Sequence, residues 1–92
     1  MELRQTSLFK RNYKKLHPKQ QTAVKSEIKK LLADPSLGTE RKQDLRGIYV
    51  HKFLIDRQLF LLAYSFDPQT MTLVMLGVHE NFYRDLKNHL SD

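Results

Sequence analysis

Two side chains near the C-terminal end, His79 and Tyr83, have the types and spacing to act together. They belong to the stretch Gly77-Val78-His79-Glu80-Asn81-Phe82-Tyr83, which follows an apolar run and reads as a strand that stops at Gly77 and hands over to a helix. Four residues is about one helical turn, so the imidazole and the phenol share a face if the helix is already formed at His79. A ring that titrates near neutrality beside a phenol suits proton transfer, or stacking on an RNA base. Glu80 lies between them. A carboxylate there is favoured by the helix dipole without any function, and it is equally placed to orient or ionise His79.

The chain's charge says where a polyanion would bind. The net charge is +6, and residues 1–46 hold twelve of the sixteen Lys and Arg but five of the ten acids. A basic half joined to a nearly neutral half points to a polyanion-facing surface. Lys14, Lys15, Lys19, Lys25, Lys29 and Lys30 are the expected phosphate contacts. There is no cysteine, which removes disulfides, thiolate chemistry and cysteine–zinc clusters. No histidine pair with carboxylates shows metal-ligand spacing, so neither a metal nor a cofactor is expected. His17 and His89 are assigned to the surface. No apolar run approaches the ~20 residues that span a bilayer, and Met1 to Arg11 does not read as a signal peptide, so a cytoplasmic protein with no membrane partner is expected.

The elements that must position these residues follow from periodicity. Phe9, Tyr13 and Leu16 recur at helical spacing, giving a short helix that ends before His17-Pro18. Pro18 suits the first turn of a second helix, whose stripe is Val24, Ile28, Leu31 and Leu32 and which Asp34-Pro35 stops. Ser36 to Arg46 is polar and reads as a loop or an approach to a sheet. Three strands follow at about Ile48–Ile55, Leu59–Phe66 and Met71–Val78, with turns at Asp56-Arg57-Gln58 and Asp67-Pro68-Gln69-Thr70. Leu3 to Leu8 is an additional edge-strand candidate. A closing helix is predicted from Glu80 to His89, with Phe82, Leu86 and Leu90 inward. Ninety-two residues then make one α+β domain, 1–92: an N-terminal helical hairpin packed on a small twisted antiparallel sheet, with a closing C-terminal helix.

The basic hairpin, Leu45-Arg46-Gly47 entering the sheet, the strand closing on Ala63-Tyr64, and Gly77-Val78-His79 leading to Tyr83 resemble the RelE/ParE superfamily of bacterial type II toxins. The Gly-x-His-x-x-x-aromatic ending is most similar to the YafQ type of RelE nuclease. The resemblance implies a toxin that enters the ribosomal A site and cuts mRNA, silenced by a cognate antitoxin through an acidic, partly disordered segment. It also shows a departure. Many RelE-type nucleases carry an arginine three residues before the second-strand tyrosine, where this chain has Leu61, so Arg57 or Lys52 would have to substitute.

Metal-free RNA cleavage needs a base for the 2′-hydroxyl, cations around the phosphorane and an acid for the leaving 5′-oxygen. The candidates for catalysis are His79, Tyr83, His51 and Lys52, with Arg46 and Arg57 as further RNA contacts. His51 and Lys52 are neighbours on a strand and point to opposite faces, so both line one site only if the strand bulges or frays. Apolar residues flank both, so alternation does not choose between them. Two other readings belong to the same resemblance: a ParE-type inhibitor that binds DNA gyrase, which needs neither His79 nor Tyr83, and a degenerate member that only binds its antitoxin.

Overall fold

A computed structural model describes residues 1–41, 45 and 47–91. The chain runs β1 (Glu2–Gln5), α1 (Ser7–Lys14), α2 (Pro18–Ala33), a 3-10 turn (Pro35–Leu37), β2 (Thr39–Glu40), β3 (Tyr49–Ile55), β4 (Gln58–Phe66), β5 (Thr70–Val78) and α3 (Phe82–Ser91). The strands form one sheet in the order β1-β5-β4-β3-β2. The long neighbours are antiparallel, but β1 pairs with β5 in parallel, so the sheet is mixed rather than wholly antiparallel. The edge strand is shorter than the stretch Leu3–Leu8, because Thr6 caps a helix that already includes Ser7 and Leu8.

Each helix end is set by local chemistry. Thr6 Oγ1 accepts from the Phe9 N–H at 3.0 Å, which starts α1, and donates to the Val74 carbonyl at 2.6 Å, which ties that start to the sheet. Pro18 occupies the first turn of α2, and the His17 N–H is taken by Gln20 Oε1 at 3.2 Å. The Gln21 amide donates to the Tyr13 carbonyl at 3.0 Å and closes the helical hairpin.

The sheet is covered on both faces. On one, Phe9, Val24, Ile28 and Leu31 pack against Phe53, Phe60, Leu62, Tyr64 and Leu73. On the other, Phe82 and Leu86 of α3 pack with Leu45 and Ile48 against Val50, Leu61, Ala63, Val74 and Met75. This explains why both residue sets of β4 are apolar: a central strand buried on two faces loses its alternation. Leu90 lies past the end of that contact and is 40% exposed, not inward.

One irregularity decides what the end of β5 presents. Ala63 pairs with Met75 and Tyr64 with Leu73, leaving Val74 as an extra residue. Val74 and Met75 therefore point to the same side, beneath α3, and the alternation beyond them is inverted. The freed Leu76 N–H is taken by Asn12 Oδ1 at 3.1 Å. At this same end of the sheet, β3 and β4 are joined by Asp56 and Arg57 alone, both at positive φ (48° and 71°), the geometry of a two-residue hairpin turn.

Candidate functional site

The site is built at the junction of β5 and α3, on the face away from the helical hairpin. Gly77 lies in the row Lys52–Leu61–Gly77 across β3, β4 and β5. A Cβ at Gly77 would stand 3.4 Å from the Phe82 ring, ordinary van der Waals contact, so the start of α3 packs directly over this strand position. The inversion at Val74 puts this position on the α3 side; an unbulged strand would have turned it toward the hairpin.

His79 and Tyr83 do meet, although not through a helical turn. α3 begins only at Phe82, and Asn81 sits in the left-handed region at φ 61°. The Phe82 N–H bonds the His79 carbonyl at 3.2 Å, closing a tight turn that brings the imidazole edge-on to the phenol, with ring centroids 6.3 Å apart at 83°. His79 is exposed and Tyr83 half-buried, resting edge-to-face on Phe82. Glu80 is exposed in the turn and makes no ion pair with His79 among the described residues.

A residue that the sequence reading did not single out joins this pair. Arg41 stands with its guanidinium carbon 4.5 Å from the centre of the Tyr83 ring. Its N–H bonds the Ile48 carbonyl at 2.8 Å, continuing the β2–β3 pairing by one step. No local motif announces it, because Arg41 and Tyr83 are far apart in sequence and only the strand pairing brings them together.

The remaining candidates separate. Lys52 is exposed and pairs directly opposite Leu61, with its side chain on the α3 face, two strand spacings (roughly 10 Å) from the row's end at Gly77. It therefore stands beside the apolar position where a cation is missing. His51 faces the other way. Its Nε2 lies 2.8 Å from Glu27 Oε1 on α2, with both side chains about 15% exposed, and its ring stacks on Phe53. β3 does not bulge, so His51 and His79 lie on opposite faces of the sheet. Burial alone would raise the Glu27 carboxyl, but hydrogen bonds and charge from His51 and Lys30 together hold it below its usual pKa. Arg57 is at the exposed tip of the β3–β4 hairpin. Arg46 lies outside the described residues. Lys14, Lys15, Lys19, Lys25, Lys29 and Lys30 are all exposed on the hairpin, behind the sheet from His79. Among the described residues no three His, Asp or Glu side chains converge to hold a metal ion.

The arrangement joins an exposed imidazole, a half-buried phenol and a guanidinium on the α3 side of the sheet, with an exposed lysine on the same face. These are the parts for moving a proton beside a bound phosphate.

The comparisons agree on the architecture. The toxin in the E. coli RelBE toxin–antitoxin complex superposes with a TM-score of 0.69 at 15% identity, covering 86% of this chain and 96% of that one. The Mycobacterium tuberculosis RelBE2 complex gives 0.73 at 21%, covering 85% and 96%. A mutant of E. coli RelE in the free state gives 0.75 at 14%, covering 97% and 96%. At these identities the likeness is one of fold. No curated protein matches in sequence. Residues 3–87 match the model of the ParE-like toxins of type II bacterial toxin–antitoxin systems, and with nearly its whole length inside that match the chain belongs to this family.

Proposed function

We propose that this toxin is a ribosome-dependent, metal-independent mRNA endoribonuclease that arrests translation. The observation that carries the reading is the contact of exposed His79 with Tyr83, whose ring also meets the Arg41 guanidinium, so that three groups able to act on RNA come together at one end of α3. His79 moves a proton between the RNA 2′-hydroxyl, the phosphate and the leaving 5′-oxygen, while Lys52 and Arg41 supply positive charge. Tyr83 offers either a stacking face or a hydroxyl. The hairpin lysines, on the far side of the sheet, hold ribosomal RNA, so docking and cleavage use different faces.

The partner that silences the toxin is proposed to be an antitoxin with an acidic, partly disordered segment; two of the similar structures are toxin–antitoxin complexes. A groove of about 370 Å³ between β1 and the hairpin is lined by Leu3, Phe9, Tyr13 and Ile28 and flanked by Lys25 and Lys29. An amphipathic acidic segment matches it in both polarity and charge.

The family model bears the ParE name, which favours a second reading, a protein-binding inhibitor of DNA gyrase. Induction in cells separates the two. Nuclease action gives rapid translation arrest with mRNA cut at codons; gyrase inhibition gives filamentation and an SOS response. His79→Ala removes cutting and toxicity under the nuclease reading, with a loss of about 10²–10⁴-fold in rate, and leaves antitoxin binding intact. Tyr83→Phe then tells hydroxyl from stacking. A His79→Ala protein that still arrests growth at matched expression sinks the nuclease and moves the gyrase reading to first place.

A further inference from the structure

Arg41 is placed by backbone pairing, and none of the ion pairs among the described residues takes up its charge. Glu40 and Arg41 alternate across the sheet: Glu40 Oε1 receives the Tyr49 hydroxyl at 3.4 Å, while the Arg41 side chain turns to Tyr83. Among the described residues, no carboxylate pairs with Arg41. Its contact is the Tyr83 ring, and an aromatic face engages the flat of a guanidinium while leaving its in-plane N–H donors free. Those donors form the fork that fits two oxygens of one phosphate. The same phenol also contacts His79, so the guanidinium and the imidazole share one aromatic neighbour. Leu61, wholly buried in the sheet, offers no charge there.

We propose that Arg41 is the residue that binds the scissile phosphate, using Tyr83 as the platform that orients it toward His79. This rests on the nuclease reading. In the reaction the 2′-oxygen attacks phosphorus, the O2′–P bond forms and the P–O5′ bond breaks, leaving a 2′,3′-cyclic phosphate and a 5′-hydroxyl. The proton lost by the 2′-hydroxyl is balanced by the one gained at the 5′-oxygen. Arg41 keeps its own proton throughout and neutralises the charge that grows on the non-bridging oxygens. Any phosphodiester of an RNA strand presents these oxygens, so Arg41 contributes rate rather than codon choice.

The test is single-turnover cleavage of mRNA on programmed ribosomes by the full chain, with thermal melting of each variant alongside. Arg41→Ala is expected to lower the saturating rate by about 10²-fold or more while the ribosome concentration at half-saturation changes by less than about threefold and the shape of the pH profile is kept. Arg41→Lys should recover part of the rate, since it restores charge without the planar fork. Arg41→Gln, which keeps most of the stem, repeats the measurement if the alanine variant is unstable. In a Tyr83→Leu background, removing Arg41 should cost much less, because the platform is already gone. A rate unchanged by Arg41→Ala and Arg41→Gln overturns the proposal, as does a loss confined to half-saturation, which would make Arg41 a docking cation. If the unsubstituted toxin does not cut, the nuclease reading fails first and this inference fails with it.

Discussion

His51 and His79 are the two imidazoles that reach the sheet, and removing each should have opposite consequences. His51→Ala deletes a bond of 2.8 Å to Glu27 between side chains only about 15% exposed, together with the stacking of the imidazole on Phe53. A hydrogen bond to a charged partner contributes about 1.5–3 kcal/mol. Glu27 keeps Lys30 at 2.9 Å after the deletion, which places the cost in the lower part of that range, about 1.5–2 kcal/mol. In a domain of this size, that lowers the melting temperature by about 6–16 °C. The pH dependence adds a second signature. The folded Glu27 carboxyl is held below 4.5, so its contribution is complete above that pH and fades as pH falls through the folded value. The melting gap between wild type and His51→Ala should therefore narrow on acidification below pH 4.5. Thermal melts from pH 7 to pH 3, with mRNA cutting measured at a temperature where both proteins are folded, make the test. The expected result is lower stability with cutting retained. A His51→Ala protein that melts like the wild type but no longer cuts would refute this placement of His51 outside the reaction.

Three further outcomes follow from other contacts. Tyr64 is fully buried; its hydroxyl donates to the Pro35 carbonyl at 2.6 Å and accepts from the Gly38 N–H at 2.9 Å. Tyr64→Phe should cost about 1–3 kcal/mol in a denaturant titration. Burial also raises the phenol's pKa above 10.0, so wild-type stability should fall as pH climbs past 10, and the variant should show a smaller fall. Arg57→Gly, at φ 71°, relieves a left-handed conformation and should raise the melting temperature by a few degrees while cutting continues; lost cutting would return Arg57 to the RNA path. Lys25→Glu with Lys29→Glu should leave melting unchanged but weaken ribosome binding and flatten its salt dependence, and equal binding across a salt titration would show that the hairpin is not the docking surface.

The helical hairpin, the three long strands and the closing helix were legible because each is dictated by neighbours in sequence. Pro18 starts a helix, Asp34-Pro35 ends one, and apolar residues recur at the period of the element they build. The contact between His79 and Tyr83 was legible too, although a left-handed turn at Asn81 produces it rather than a helical turn. The opposition of His51 and Lys52 follows from strand geometry alone. Which of them faces the site did not, because β3 and β4 are covered on both sides and apolar residues flank both candidates. That assignment came from α2, which supplies Glu27 to capture His51. Arg41 was invisible for a related reason: its partner Tyr83 is distant in sequence, and pairing of β2 with β3 carries it there. The face presented by Gly77 depends on the extra residue at Val74, stabilised by Thr6 and Asn12 from another element. Local periodicity determines which segments become helices and strands. Only the packed sheet, through its two covered faces, its register and one bulge, decides which side chains share a site.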